Sequence, residues 1–303
     1  SAASDVYKRQ IKNFPHLISF CKKRFKQSWK WFAISLIVSL IMILAIEGFF
    51  NFNHTTDIIQ ARWLFRVAAL IIFSIITLSI YLGYRYYVKD YIVMKSFHVS
   101  SVTPSIVIAM LALISMFILG LIIAFLKPVN FETSLLSLLY YLVISAIFIS
   151  ISAVMFGLLK YVFKNVDIVF IIISVISFFM VPILFIPKMH LNLLNHILMI
   201  NPLYYFVHGS AQSVVFGSVS MSNIPYHIYI ILFMAMMCVI NYVLVRHIAL
   251  DKYRSLSDSE MISNHGNNSY ESSKAKDNKK MKGNEGQLTD DSHGLSQSND
   301  DKK

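Results

Sequence analysis

The chain has 303 residues; 56% are hydrophobic, only 14% are charged, and the formal net charge is +11. Runs of twenty or more nearly uncharged apolar residues recur, and at about 1.5 Å rise per residue about 20 residues cross a hydrocarbon core. This excludes an ordinary soluble fold, which cannot hide so many helices apolar on every side. It also makes membrane topology, not nucleic acid, the reason for the basic charge.

The opening decapeptide, "SAASDVYKRQ", does not share the pattern of the residues after it and reads as a non-native leader (1–10). Next, in 11–28, Phe14, Leu17, Ile18, Cys21 and Phe25 fall on one helical face, with Lys22, Lys23 and Lys26 away from its centre. Pro15 suits a first turn. The segment is expected to be an amphipathic helix lying in the membrane interface, with an ordinary basic flank as the alternative.

Six spans are expected, at about 29–51, 63–87, 105–126, 134–159, 168–187 and 226–246. Span one carries Glu47 and span two Arg66, each about one turn inside its outer end. They are read as snorkelling residues, paired with each other or lining an outer vestibule. Span four aligns Ala146, Ser150, Ala153 and Gly157, a small-residue face for close helix packing. Span five contains Pro182 and ends on Pro187, which predicts a kink or an unwound end. Cys21 and Cys238 imply no disulfide framework.

Lys and Arg set the orientation. They gather before span one (Lys12, Lys22, Lys23, Arg24, Lys26), between spans two and three (Arg85, Lys89, Lys95), between four and five (Lys160, Lys164), and after six (Arg246, Lys252, Arg254). The alternate connections hold few. Both termini are therefore expected in the cytoplasm, and 188–225 outside.

Between spans five and six stands "NPLYYFVHGSAQSVVFG" (201–217). Asn201 can cap a helix, Pro202 fits its first position, and Gly217 can end it. About 15 residues reach only ~22 Å, too short to cross. Leu203, Phe206, Val207, Ser210 and Val214 fall on one side, and Tyr205, His208 and Gln212 on another. The segment is expected to be an amphipathic helix dipping into the outer leaflet, with "KMHLNLLNHILMI" (188–200) as a partner half-helix; an interfacial loop is the alternative. Beyond about residue 250 the chain is polar and rich in Ser, Asn, Asp and Lys. The tail 251–303 is expected to be a disordered cytoplasmic segment.

No G-x-x-x-x-G-K-[ST], H-E-x-x-H, C-x-x-C or G-x-S-x-G is present, so no ATPase or catalytic site is expected in this chain. Histidines 54, 190, 196, 208 and 227 match no zinc-ligand spacing, and no metal site is expected.

The run "FFMVPILFIP…LNHILMINPLYYFVHG" resembles the permease subunit of bacterial ABC exporters for teichoic acids and O-antigen-type polysaccharides. Asn201, Pro202, Leu203, Tyr204, Tyr205, Val207 and Gly209 match that family's N-P-L-Y-Y motif. "KRFKQSWKW", "MKSFHVSSVTP" and "YVFKNVDIVF" are similar, in order, to its segments before span one, between two and three, and between four and five. The likeness covers about 12–250. His208 stands where the family has Glu, Ser210 and Ala211 replace its aromatic and Arg, and a P-R-E pattern is missing around His98 and Ser100.

The resemblance implies an all-α integral membrane protein with six transmembrane helices (29–250), an N-terminal amphipathic interfacial helix and outer re-entrant helices between spans five and six. It implies a homodimeric channel in the cell membrane, with ATP and Mg bound on a separate ATP-binding subunit and no cofactor on this chain. The exported substrate would be a lipid-linked polysaccharide such as teichoic acid. Asn201, Pro202, Tyr204, Tyr205, His208 and Gly209 would form an outer gate. Lys89, Asp90, Lys95 and Phe97 would couple to the ATPase. Lys22, Lys23, Arg24 and Lys26 would meet the anionic headgroup, although the same cations also satisfy the positive-inside rule. The alternatives are a drug or lipid exporter of the same architecture, a membrane enzyme acting on lipid-linked sugars, and a non-transporting assembly or sensor subunit.

Overall fold

The computed structural model describes residues 2–96, 102–185 and 192–248, with side chains over 18–91, 102–185, 196–217 and 221–248. Among the described residues there are helices and no strands. In chain order they are α1 (Ala2–Asn53), α2 (Asp57–Ser96), α3 (Thr103–Leu126), α4 (Leu135–Val162), α5 (Val166–Met180), α6 (Asn192–Met199), α7 (Pro202–Val215), a 3₁₀ turn (Gly217–Ser222) and α8 (Ile224–Ile248). The bundle belongs to the unit Ser1–Val245; of the second unit, Arg246–Lys303, only 246–248 are described. The expected tail, 251–303, lies outside the described residues, as do 186–191.

Five helices are long and apolar enough to cross a membrane: α1 from Ile18, α2, α3, α4 and α8. The chain is thus a multi-pass helical membrane protein by length and composition. The expected fifth span is shorter than 168–187. Helix α5 ends at Met180 because Val181 turns extended ahead of Pro182, whose ring disfavours a helical residue before it. Its 15 residues give only ~22 Å of helix.

The first segment also differs from its expectation. Residues 11–28 are not a separate element: α1 is one helix from Ala2 to Asn53, and residues 2–10 are part of it. Between Arg24 and Phe32 the sequence has neither Gly nor Pro to end a helix, and Arg24, Ser28 and Phe32 are all buried on one face. The span's face simply continues.

Short links join α1 to α2, α3 to α4 and α4 to α5, so these neighbours run antiparallel. The core lies among α2, α3 and α4, while α1 and α8 bury much less of themselves. The small face expected on α4 is its contact with α2. A Cβ on Gly157 would lie 2.4 Å from the Tyr87 ring, and one on Gly83 2.6 Å from Ala153 Cβ. Backbones this close need residues without side chains on one side of the contact.

Candidate functional site

The 201–217 segment forms a short helix set inside the bundle. Asn201 caps α7: its side-chain oxygen accepts the Leu203 N–H at 3.1 Å, and Pro202 stands in the first turn. The Asn201 amide donates to the Ser177 carbonyl of α5 at 3.4 Å, which ties the start of α7 to the end of α5. Helix α7 finishes at Val215, and Gly217 comes after it with φ of 80°, the left-handed conformation that favours glycine after a helix.

Three contacts fix how α7 lies on α4. The Ser213 hydroxyl is 2.7 Å from that of Ser137, Gly209 abuts the Tyr141 ring, and the Phe206 and Phe148 rings are 4.7 Å apart. Helix α7 therefore runs antiparallel to α4, with its N-terminus pointing into the bundle. Residues 137 to 148 span about 16 Å of α4. The C-terminal part of α7 is pinned by Ser134 N–H on the Ser213 carbonyl (3.0 Å) and Thr133 hydroxyl on the Val214 carbonyl (2.8 Å).

Helix α7 is buried on the side expected to be apolar and over part of the other, where His208 and Gln212 stay half-buried. Leu203, Phe206, Val207, Ser210 and Val214 are covered as expected, but so are Tyr204 and Tyr205. Tyr205 is covered because protein supplies it with partners: its hydroxyl is 2.5 Å from His227 Nδ1 and donates to the Tyr140 hydroxyl at 3.3 Å. Burial raises the Tyr205 phenol above its ordinary range, and its bond to Tyr140 adds to this. The Tyr141, Tyr226 and His227 rings close around it at 5.0 to 5.5 Å.

His208 keeps part of its surface open, yet its ring is stacked on Tyr204 at 5.1 Å and meets Phe65 edge-on at 5.9 Å. Desolvation pushes its imidazole down to about 4, so it is neutral at pH 7. The six residues expected at an outer gate are thus brought together on one helix: Asn201 as its cap, Pro202 in its first turn, and Tyr204, Tyr205, His208 and Gly209 in its packed body.

At the opposite, basic end, the sequence reading needs two corrections. Arg24 is expected at a lipid headgroup and Asp90 at an ATPase contact, but these side chains form a buried ion pair, 8% and 9% exposed, with one Arg24 nitrogen on both Asp90 oxygens. The Arg24 guanidinium also lies over the Tyr86 ring at 4.2 Å and donates to Gln27 at 3.1 Å. Helical phase explains this: Arg24 shares its face with Ser28 and Phe32, which pack inward, whereas Lys22, Lys23 and Lys26 face outward. Lys89 is exposed; the side chain of Lys95 and all of Phe97 lie outside the described residues.

A second network at this end goes beyond the sequence reading. Asp167, at the start of α5, accepts Lys160 on both oxygens at 2.8 Å and the buried Tyr84 hydroxyl at 2.9 Å. The Tyr161 hydroxyl donates to the Val88 carbonyl at 2.6 Å. Only the isolated Lys-x₆-Asp spacing hints at it. Glu47 and Arg66 form no ion pair with each other; Glu47 Oε2 and Arg66 Nε are buried without a hydrogen-bond partner, and Arg66 lies over Trp63 at 5.5 Å. Among the described residues no three His, Cys, Asp or Glu side chains converge as metal ligands would.

No protein-family model matches the chain, and no curated protein matches it.

Proposed function

We propose that this chain is the membrane subunit of an ATP-driven exporter that moves a lipid-linked cell-wall polymer, teichoic acid or a similar polysaccharide, across the cytoplasmic membrane. One observation carries the reading: a short, capped helix beginning N-P-L-Y-Y lies inside the bundle alongside the N-terminal half of α4, with its N-terminus pointing inward. A helix too short to cross but packed within the bundle suits a re-entrant element. With α6 as its descending partner, it would close the outer mouth of a path between two copies of the chain.

In this reading the basic end is cytoplasmic, and α5 completes the sixth crossing. ATP and Mg act on a separate ATPase subunit, which docks on the segment after α2 from Lys89 onward. Arg24 and Asp90 join α1 to α2 there, so a push on the end of α2 also moves α1. Lys22, Lys23 and Lys26 remain exposed to meet an anionic headgroup. The exposed apolar faces of α1, α5 and α8 are available to lipid and to the second copy.

The test is affinity purification of the full chain from its native membrane. A P-loop ATPase subunit is expected in stoichiometric amount, together with two copies of this chain. A chain that purifies without any ATPase subunit contradicts the proposal.

A further inference from the structure

One ring sits where α4, α7, α8 and the 3₁₀ turn meet. His227, in the first turn of α8, places Nδ1 2.5 Å from the Tyr205 hydroxyl of α7 and Nε2 3.3 Å from the Met221 carbonyl of the 3₁₀ turn. The Tyr205 hydroxyl in turn donates to the Tyr140 hydroxyl of α4 at 3.3 Å. A phenol has a single hydrogen to give, and burial holds it on Tyr205. Tyr140 receives that hydrogen, so towards Nδ1 the Tyr205 oxygen can only accept. The Met221 carbonyl, facing Nε2, can only accept as well. All three contacts are therefore made at once only when both ring nitrogens carry hydrogen, as in imidazolium. The short Nδ1 contact suits a charge-assisted bond.

The groups that face this ring are phenols. Tyr140 and Tyr141 of α4 and Tyr205 of α7 lie with ring centroids 5.5, 6.0 and 5.5 Å away, and its neighbour Tyr226 packs on Tyr205 at 5.0 Å. Among the described residues no carboxylate pairs with His227. Its charge is thus held by hydrogen bonds to two neutral oxygens, a weaker hold than an ion pair. The ring is half-buried, so solvent can supply and remove the proton.

We propose that His227 is a proton-dependent latch: charged, it ties the start of α8 to α7 and to the 3₁₀ turn, and neutral, it gives up one of these ties. Release sends the Nδ1 proton to solvent and leaves Nε2–H on the Met221 carbonyl. Tyr205 must then turn its hydrogen from Tyr140 to Nδ1 or lose the contact with the ring. The latched arrangement binds one proton more than the released one, so the latch holds at low pH and weakens as pH rises. His208, neutral in its packed state, acts in the opposite sense. The latch does not depend on what the chain transports.

The full chain, in lipid nanodiscs and with isotope-labelled histidine, is titrated by NMR from about pH 5 to 9, a range that brackets the ordinary imidazole titration. His227→Gln or His227→Asn identifies the His227 resonances. Amide exchange over Leu203–Val207, corrected for its intrinsic pH dependence, is followed on the same samples. Both ring nitrogens of His227 are expected to carry hydrogen at the acid end and Nε2 alone at the alkaline end. Exchange over α7 should quicken about tenfold as that proton leaves, the effect of losing one charge-assisted bond. Tyr140→Phe frees the Tyr205 hydrogen for Nδ1, so a neutral ring then keeps both of its contacts. In that variant α7 exchange should no longer follow the ring. A merely structural histidine would leave the Tyr140→Phe profile like the parent's. The proposal is overturned by that result, by a ring with one hydrogen over the whole range, or by α7 exchange that is indifferent to the ring's titration. Capture of an ATPase subunit bears on the transport reading alone.

Discussion

Gly209 is the position where the smallest change should cost most. An added Cβ would lie 2.2 Å from the Tyr141 ring, and that ring is buried among Tyr140, Tyr205 and His227. Gly209→Ala is expected to destabilise the protein by about 1–3 kcal/mol through overpacking. Gly48→Ala, with nothing within 4 Å of the new methyl, should be neutral or slightly stabilising. Thermal unfolding of the purified proteins checks both. The Arg24–Asp90 pair should follow a different rule. Removing one partner leaves a buried charge and costs about 3–5 kcal/mol, whereas replacing both with apolar residues of like volume is close to neutral. Arg24→Met and Asp90→Leu should therefore each be worse alone than together, measured as melting temperatures of the two single variants and the double. His208 gives a pH signature. Its folded imidazole titrates near 4, against about 6.5 when released. Between those values the released state binds a proton that the packed state does not, so stability falls as pH drops from about 6.5 to 4. His208→Gln should lose that part of the pH dependence; an unchanged profile would show that the ring is solvated. Of these features the sequence exposes only Gly209 and His208, through the motif that contains them. Arg24 and Asp90 are 66 positions apart, and charge counting assigns each to its nearest loop, because counting carries no information on which face turns inward.

At the scale of elements, the start of α7 is where sequence and structure agree most closely. Asn-Pro before an apolar run and Gly beyond it predict a short capped helix, and cap chemistry is local, so it survives folding unchanged. What covers that helix is not legible in the sequence. Its polar positions suggest a wet face, but Tyr140, Tyr141, Tyr226 and His227 arrive from α4 and α8. Only tertiary contact shows that a polar face has protein partners. Asn201→Ala should remove the cap, at about 1 kcal/mol, and also the tie to Ser177, while Asn201→Asp keeps the cap alone. Amide exchange over Leu203–Tyr205 is expected to speed up in the alanine variant and much less in the aspartate variant. Equal rates in all three proteins would mean that α7 is held by packing alone. The two misplaced boundaries have simple causes. Hydropathy runs the fifth span through Pro182, where the backbone leaves the helix, and the change from amphipathic to all-apolar pattern near residue 28 suggests a break where the helix continues.

Across the whole molecule, α2, α3, α4 and α7 make the packed centre, while α1, α5 and α8 keep broad apolar faces outward. A membrane accepts such faces, and so does a second copy, which is why composition reveals the membrane but not the assembly. In the proposed reading, the inward-pointing α7 at one end and the Arg24–Asp90 pair that joins α1 to the last turns of α2 at the other serve as an outer closure and an inner drive, the two parts an exporter needs. The most direct measurement is made on inverted membrane vesicles preloaded on their outer face with the lipid-linked polymer. Transport predicts that ATP moves the polymer into the lumen, protected from added glycosidase, and that depleting this chain or substituting Gly209→Leu abolishes the movement while the ATPase subunit stays bound. Polymer that stays accessible with ATP, or moves equally well without this chain, would contradict the account.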